Sequence, residues 1–145
     1  MKSLIFRGFV FSCVSWLMAA GLSAQTPRTV EKGDQSNVDA PKQVVIRDAA
    51  EWRKLWQQHA PDRPVPNVDF SKESVAAVFM GSRSTAGYST AIVSTTDANG
   101  ALIVKYRETT PPRGAITAQV LTFPYHIVAI AKTSATQIKF EKAEP

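Results

Sequence analysis

Short β-prone runs, separated by turn-forming residues, constrain the fold of this chain more than any other sequence feature. Runs rich in Val, Ile, Thr and aromatic residues are typical of strands. Closely spaced strands with short turns predict an antiparallel sheet that folds into a sandwich or a partial barrel. We count six to seven such runs, at 44–46, 74–80, 89–95, 101–108, 116–123, 125–131 and 137–141.

A hairpin is predicted in the middle of this series. The dipeptide Asn99-Gly100 lies between the runs 89–95 and 101–108. Asn and Gly both tolerate the positive φ that a two-residue hairpin turn requires. We therefore expect these two runs to pair antiparallel.

One helix is predicted ahead of the strand series. Asp48 and Glu51 have the spacing of a capping box, in which the Asp carboxylate accepts a free helix N–H. Ala60-Pro61 ends the pattern. The fold class is therefore α+β and β-rich, with a single helix packed on the sheet. Helical spacing places four large side chains on one face: Trp52, Leu55, Trp56 and His59.

The first 24 residues have the order of a secretory signal. Lys2 and Arg7 are followed by an apolar stretch over 8–22 and by small residues up to Ala24. The stretch is short for a membrane span, which needs about 20 apolar residues. We expect cleavage near Ala24, a periplasmic or secreted protein, and no transmembrane segment afterwards. The polar residues 25–42 predict a flexible leader, and 43–145 the folded domain.

Loss of the signal removes Cys13, the only cysteine of the chain. No disulfide or cysteine ligand is then available, so the core alone must stabilise the fold. The mature net charge is 15 − 12 = +3, because Lys2 and Arg7 leave with the signal. The charges are interspersed and form no basic stripe, which argues against a nucleic-acid partner.

The residues provide no recognisable catalytic or metal centre. Gly81-Ser82-Arg83-Ser84 matches neither the Gly-x-Ser-x-Gly nor the Ser-x-x-Lys pattern of serine hydrolases. His59 and His126 lie on different predicted elements without paired carboxylates. We expect no catalytic residue, no metal and no cofactor. An unrecognised periplasmic hydrolase stays an alternative, and it needs a pocket that gathers His126, Glu108 and a serine or tyrosine.

Two segments are candidates for contact with a protein partner. The loop 83–88 combines small residues with an aromatic ring, which offers contact area at low entropy cost. Around Pro124 the chain is expected to form a sheet edge or a bulge, and an edge accepts a partner strand. In the alternative interpretation Gly87 only makes a turn, Tyr88 fills the core and Pro124 redirects the chain. The predicted partner-binding residues are Arg83, Ser84, Thr85, Gly87, Tyr88, Pro124, Tyr125 and His126.

The order of motifs from 44 to 140 resembles the C-terminal domain of the PrcB family, named for the B subunit of a bacterial surface protease complex. The resemblance implies an exported, non-catalytic domain that associates with other proteins. The family usually has a second glycine where this chain has Ala86, so a positive φ at that position would be strained. The motifs are Trp52, Trp56 and His59, then 68–72, 78–81, 85–88, 104–109, Pro112 and 124–128.

The sequence therefore predicts an exported protein-binding domain, an accessory or scaffolding subunit for an envelope or surface protein, with proteases among the candidate partners. A second hypothesis is a protease inhibitor. Thr85-Ala86-Gly87-Tyr88 is similar to the Thr-Thr-Gly-Tyr loop of chagasin-type cysteine protease inhibitors. The other loops of those inhibitors have no clear counterpart here.

Overall fold

The computed structural model describes residues 24–144. The predicted signal peptide, apart from Ala24, lies outside these residues. The described part contains one helix and eight strands. In chain order they are β1 (Ala24–Gln25), β2 (Arg28–Gly33), β3 (Lys42–Ile46), α1 (Ala49–His59), β4 (Glu73–Phe79), β5 (Ser89–Ala98), β6 (Ala101–Thr109), β7 (Tyr125–Ala131) and β8 (Gln137–Lys142).

The strands form two four-stranded sheets, in the orders β1-β5-β6-β8 and β2-β7-β4-β3. The predicted α+β, β-rich class is confirmed, and the two sheets form a sandwich rather than a closed barrel. All pairs are antiparallel except β8, which runs parallel to β6. This strand follows β7 of the opposite sheet, so no tight hairpin turn dictates its direction.

β4 and β7 lie side by side in the middle of their sheet and are buried on both faces. Val75, Ala77 and Phe79 of β4 belong to a core cluster on the side of α1. Ala76 and Val78 belong to a second cluster between the two sheets. A strand with two covered faces needs apolar residues at every position, which explains the nearly unbroken apolar runs of these two strands.

The helix begins and ends where the sequence predicts. Asp48 accepts the Glu51 backbone N–H at 2.9 Å, and Ala60 is the C-terminal cap. The two indole N–H groups donate to the following loop, Trp52 to the Pro66 carbonyl and Trp56 to the Arg63 carbonyl, both at 2.9 Å. The predicted apolar face is confirmed, since its four residues are buried: Trp52, Leu55, Trp56 and His59.

The hairpin prediction is confirmed, but one predicted strand is wrong. Asn99 (φ 53°) and Gly100 (φ 76°) turn the chain between β5 and β6. The run 116–123 forms no strand and belongs to a loop, with a single bridge between Thr122 and Arg83. The places on both sides of β6, the strand that precedes this run in the chain, are taken by β5 and β8.

The prediction of a flexible leader over 25–42 is wrong for its central part. β2 lies in this segment and pairs antiparallel with β7, from Arg28 opposite Ala129 to Gly33 opposite Tyr125. Val30 packs against the core cluster beside α1. An edge strand is held by backbone hydrogen bonds on one side only and tolerates polar residues, so its sequence lacks the apolar alternation that identifies other strands.

Hydrogen exchange distinguishes a paired β2 from a leader. We expect the β2 amides that donate to β7 to be protected from exchange, because their N–H groups are hydrogen-bonded to a central strand. Mass spectrometry of peptic peptides measures this protection, with the loop residues 116–119, whose amides donate no loop hydrogen bond among the described residues, as the unprotected reference. Exchange of 28–33 as fast as this reference would contradict the pairing.

Candidate functional site

Two loops lie side by side at one end of the sandwich, and we name them the first loop (82–88) and the second loop (110–124). Arg83 and Thr122 exchange two backbone hydrogen bonds, at 2.7 and 2.8 Å. Ala86 donates its backbone N–H to the Ala118 carbonyl at 3.0 Å. The Thr122 hydroxyl donates to the Thr85 carbonyl at 3.0 Å. These bonds hold the second loop against the first.

Gly87 allows the loops to approach closely. Its φ is +94°, and a Cβ at this position would lie 2.9 Å from Pro111 Cγ. Ala86 does not have a positive φ. The departure of Ala86 from the family pattern therefore causes no backbone strain, because the left-handed residue of this loop is the glycine that follows.

The second loop carries large apolar side chains in solvent. Ile116 is fully exposed, and the exposed fractions of Leu121 and Val120 are 59% and 43%. A loop of this length without secondary structure is uncommon in a small domain and is usually functional or disordered. Since backbone bonds to the first loop hold this one, its apolar residues form a positioned surface rather than a free end.

Arg83 and Tyr88 lie on the first loop as a stacked pair. The guanidinium carbon of Arg83 lies 5.5 Å from the centre of the Tyr88 ring. Both residues are partly buried, while Ser84 and Gly87 are exposed. The buried Nε of Arg83 has no hydrogen-bond partner among the described residues. The structure thus brings the predicted residues of the first loop together, with Tyr88 half-buried beneath a cation.

The second group of predicted partner-binding residues lies in the interior. Pro124, Tyr125 and His126 are buried. β7 pairs with β2 on one side and β4 on the other, so it is a central strand. The prediction of a sheet edge at Pro124 is therefore wrong, because the partner strand β2 came from the segment interpreted as a leader.

His126 links the two sheets. The Ile92 backbone N–H donates to Nδ1 at 2.8 Å, so the proton of a neutral ring lies on Nε2, which donates to Thr29 Oγ1 at 2.8 Å. Burial lowers the pKa of His126 to about 4, and the charge of Lys32 acts in the same direction. Glu108 forms an ion pair with Lys142 instead. The grouping of His126 with Glu108, which the hydrolase hypothesis requires, is absent from the described residues.

A polar chain that the sequence analysis missed connects β2 to α1. Ser36 Oγ lies 2.8 Å from His59 Nδ1, and His59 Nε2 lies 2.8 Å from Glu31 Oε2. Arg63 binds the same carboxylate. The order serine, histidine, carboxylate is that of a hydrolase triad, but Ser36 is only 6% exposed and its hydroxyl accepts the Val38 N–H at 3.0 Å. The nucleophile position is therefore largely buried, and the polar chain connects β2 to the helix.

The charges of this chain follow from burial and hydrogen bonding. Burial by itself raises the pKa of Glu31, but hydrogen bonds from Arg63 and His59 outweigh it and lower that pKa below the ordinary value. Burial lowers the pKa of His59, against the opposing effect of Glu31. His59 is thus neutral at pH 7 beside an ionised carboxylate. The only sequence signal for the cluster was a histidine on a buried helix face, because a buried polar ring requires partners.

Within residues 24–144, no three His, Asp or Glu side chains come together as metal ligands. The helix in the same part of the chain is too short and polar to cross a membrane. The features that the described residues do provide are the paired loops with their exposed apolar side chains and the stacked arginine.

Substitution of Gly87 tests the contact between the loops. Gly87→Ala places a side chain at positive φ, which costs roughly 1–2 kcal/mol, and forces it into Pro111, which adds about 1 kcal/mol or more. Gly114→Ala is the matched control, because Gly114 also has positive φ (+80°) but open space around its Cβ position. Urea denaturation should give the larger loss of unfolding free energy for Gly87→Ala. Equal losses would contradict the close approach.

The stability of the domain should depend on His126 protonation. Its pKa is about 4 in the folded state, against 6.5 for the free group. The unfolded state therefore binds more protons between these values, so stability is complete above pH 6.5 and declines as the pH falls towards 4. The full loss from this group is on the order of 3 kcal/mol. Urea denaturation at pH 7.5 and 4.5 measures it, and His126→Gln should show a smaller pH dependence than the unsubstituted chain. An equal pH dependence of stability in His126→Gln and in the unsubstituted chain would contradict the assignment of this effect to His126.

The family model described as PrcB C-terminal matches residues 74–131 of this chain. Neither the curated proteins nor the solved structures gave a significant match. The matched residues run from β4 to the end of β7 and so include both loops and the buried strand pair of the second sheet. The resemblance named from the sequence is confirmed: residues 74–131 carry the pattern of the PrcB C-terminal family.

Proposed function

We propose that this chain is an exported, non-catalytic protein-binding domain that acts as an accessory or scaffolding subunit for a protein of the cell envelope or surface. The observation that carries the proposal is the second loop, which presents Ile116, Val120 and Leu121 to solvent while backbone bonds fix it to the first loop. Large apolar side chains in solvent gain free energy when a partner covers them.

The position of these side chains favours a protein partner over a small molecule. They are exposed on a loop, whereas small-molecule sites are usually concave and enclosed. A fixed loop loses little conformational entropy on binding, so more of the apolar contact energy contributes to affinity. The name of the PrcB family refers to a protease complex, and an envelope protease is therefore one candidate partner.

The exported and non-catalytic parts of the proposal rest on other residues. The sequence of the first 24 residues supports export. The histidines support a non-catalytic role, since His59 is 1% exposed and His126 5% exposed, and both rings use their nitrogens in hydrogen bonds to the protein. A general base must reach the proton that it removes.

Site-specific photo-crosslinking in the native envelope tests the proposal. A benzophenone amino acid replaces Ile116, which is exposed on the second loop, or Val65, an exposed apolar residue of the loop after α1 that serves as the matched control. We expect one defined protein adduct from position 116 and none from position 65, because only the second loop belongs to the proposed surface. Mass spectrometry identifies the adduct.

A second variant excludes a fortuitous adduct. Leu121→Ser removes an exposed apolar contact without disturbing the core, so it should reduce the adduct formed from position 116. The absence of any adduct at 116, or the same adduct from 65, would contradict the proposed surface. Stoichiometric inhibition of a papain-like protease that Tyr88→Ala relieves would favour the inhibitor hypothesis instead.

A further inference from the structure

Arg83 is a cation without an anionic partner among residues 24–144. The ion pairs of the described residues join Arg28 to Glu73, Arg63 and His59 to Glu31, Lys139 to Glu141 and Lys142 to Glu108, and none includes Arg83. Its Nε is buried without a hydrogen-bond partner. A buried polar group without a partner costs roughly 1–3 kcal/mol. Within residues 24–144, Arg83 therefore stabilises the fold neither through an ion pair nor through a hydrogen bond from its Nε.

The guanidinium is nevertheless held in place. The backbone of Arg83 is fixed by its two hydrogen bonds with Thr122, and its side chain lies over the Tyr88 ring. A guanidinium that lies over an aromatic ring can still donate its terminal N–H groups to a planar acceptor. Such a group is preorganised for a carboxylate, which binds arginine through two parallel hydrogen bonds.

The surroundings of Arg83 make this end of the sandwich basic. Glu108, at the end of β6, forms an ion pair with Lys142. The hydrogen bond to Glu108 raises the pKa of Lys142, and the charge of Arg83 acts more weakly in the opposite direction. The cations of Arg83 and Lys142 therefore repel each other, and the carboxylate of Glu108 is paired with Lys142 alone. An incoming anion would relieve their mutual repulsion.

An open cavity of about 710 Å³ lies at the ends of β6 and β8, with Lys142 in its lining. The second loop starts at the cavity, because Thr110 lines it, and returns to Arg83 at Thr122. The exposed apolar residues Ile116, Val120 and Leu121 lie between these two points of the loop. The lining residues are Arg107, Glu108, Thr109, Thr110, Lys142 and Ala143.

We propose that this end of the domain binds an extended acidic segment of the partner protein, with a carboxylate on the Arg83 guanidinium and neighbouring apolar side chains against the second loop. The inference rests on the proposed function and names the chemistry of the partner. A polypeptide segment fits better than a nucleic acid. It alternates carboxylates with apolar side chains, whereas a phosphate backbone requires a basic stripe that the interspersed charges of this chain do not form.

Peptide selection with the full chain tests the inference. The probe is a phage-displayed library of random dodecapeptides, selected on the immobilised protein. We expect enrichment of sequences with Asp or Glu beside apolar residues. Arg83→Met should abolish the acidic preference, while Lys54→Met, which removes an exposed cation of α1, should leave it unchanged. For a selected peptide, fluorescence anisotropy should show binding roughly 10- to 100-fold weaker with Arg83→Met, the effect of one charged hydrogen-bonded contact.

Thermal unfolding separates a binding role from a structural one. Because Arg83→Met removes a buried N–H without a partner, the melting temperature should stay within a few degrees of the unsubstituted chain. A selection without acidic preference, or an acidic preference that survives Arg83→Met, would overturn the inference. Either result combined with a specific adduct at position 116 refutes only the partner chemistry, whereas loss of that adduct refutes the proposed function itself.

Discussion

The pairing of β4 with β7 is the interaction on which the rest of the structure depends. The two strands are in register from Glu73 opposite Ala131 to Phe79 opposite Tyr125. One face of the pair packs against α1, and the other packs against the opposite sheet, which contains β5 and β6. Both strands end at the loops, since Met80 donates its N–H to the Pro124 carbonyl just beyond the pair. The chain leaves β4 towards the first loop and enters β7 from the second. The strand pair thus determines that these loops meet.

Buried polar groups stabilise the connection between the layers. His126 joins β7 to β2 and to β5, and His59 joins α1 to β2 through Glu31. Each ring has both nitrogens in hydrogen bonds, so burial does not leave a polar atom without a partner. The two histidines of the chain are thereby explained as structural groups. Arg83 differs from them, because its buried Nε has no hydrogen-bond partner among residues 24–144.

Much of the fold is predictable from the sequence because its signals are local. The helix cap at Asp48, the apolar helix face and the Asn99-Gly100 turn each depend on residues a few positions apart. β4 and β7 are recognisable from their apolar runs. These elements depend on propensity and periodicity, which a single sequence displays.

The errors concern features that depend on distant partners. β2 is polar, and only its pairing with β7 makes it a strand. Without β2, β7 would lie at the edge of its sheet, and the sequence therefore predicts exposure for Pro124, Tyr125 and His126, which are buried. The run 116–123 has strand-like residues, but both sides of the preceding strand β6 are taken by β5 and β8. In the candidate site, the sequence predicts the first loop correctly, but it predicts a strand at 116–123, where the second loop lies.

The pairing of β2 with β7 also determines the order in which the domain is completed. Thr29 lies opposite Val128, about 100 positions later in the chain, and contacts this distant in sequence form slowly. A ribosome delivers the N-terminal end first, so β2 is synthesised long before β7, the strand with which it pairs. The sheet that contains β2 is therefore completed only after almost the entire polypeptide has been synthesised.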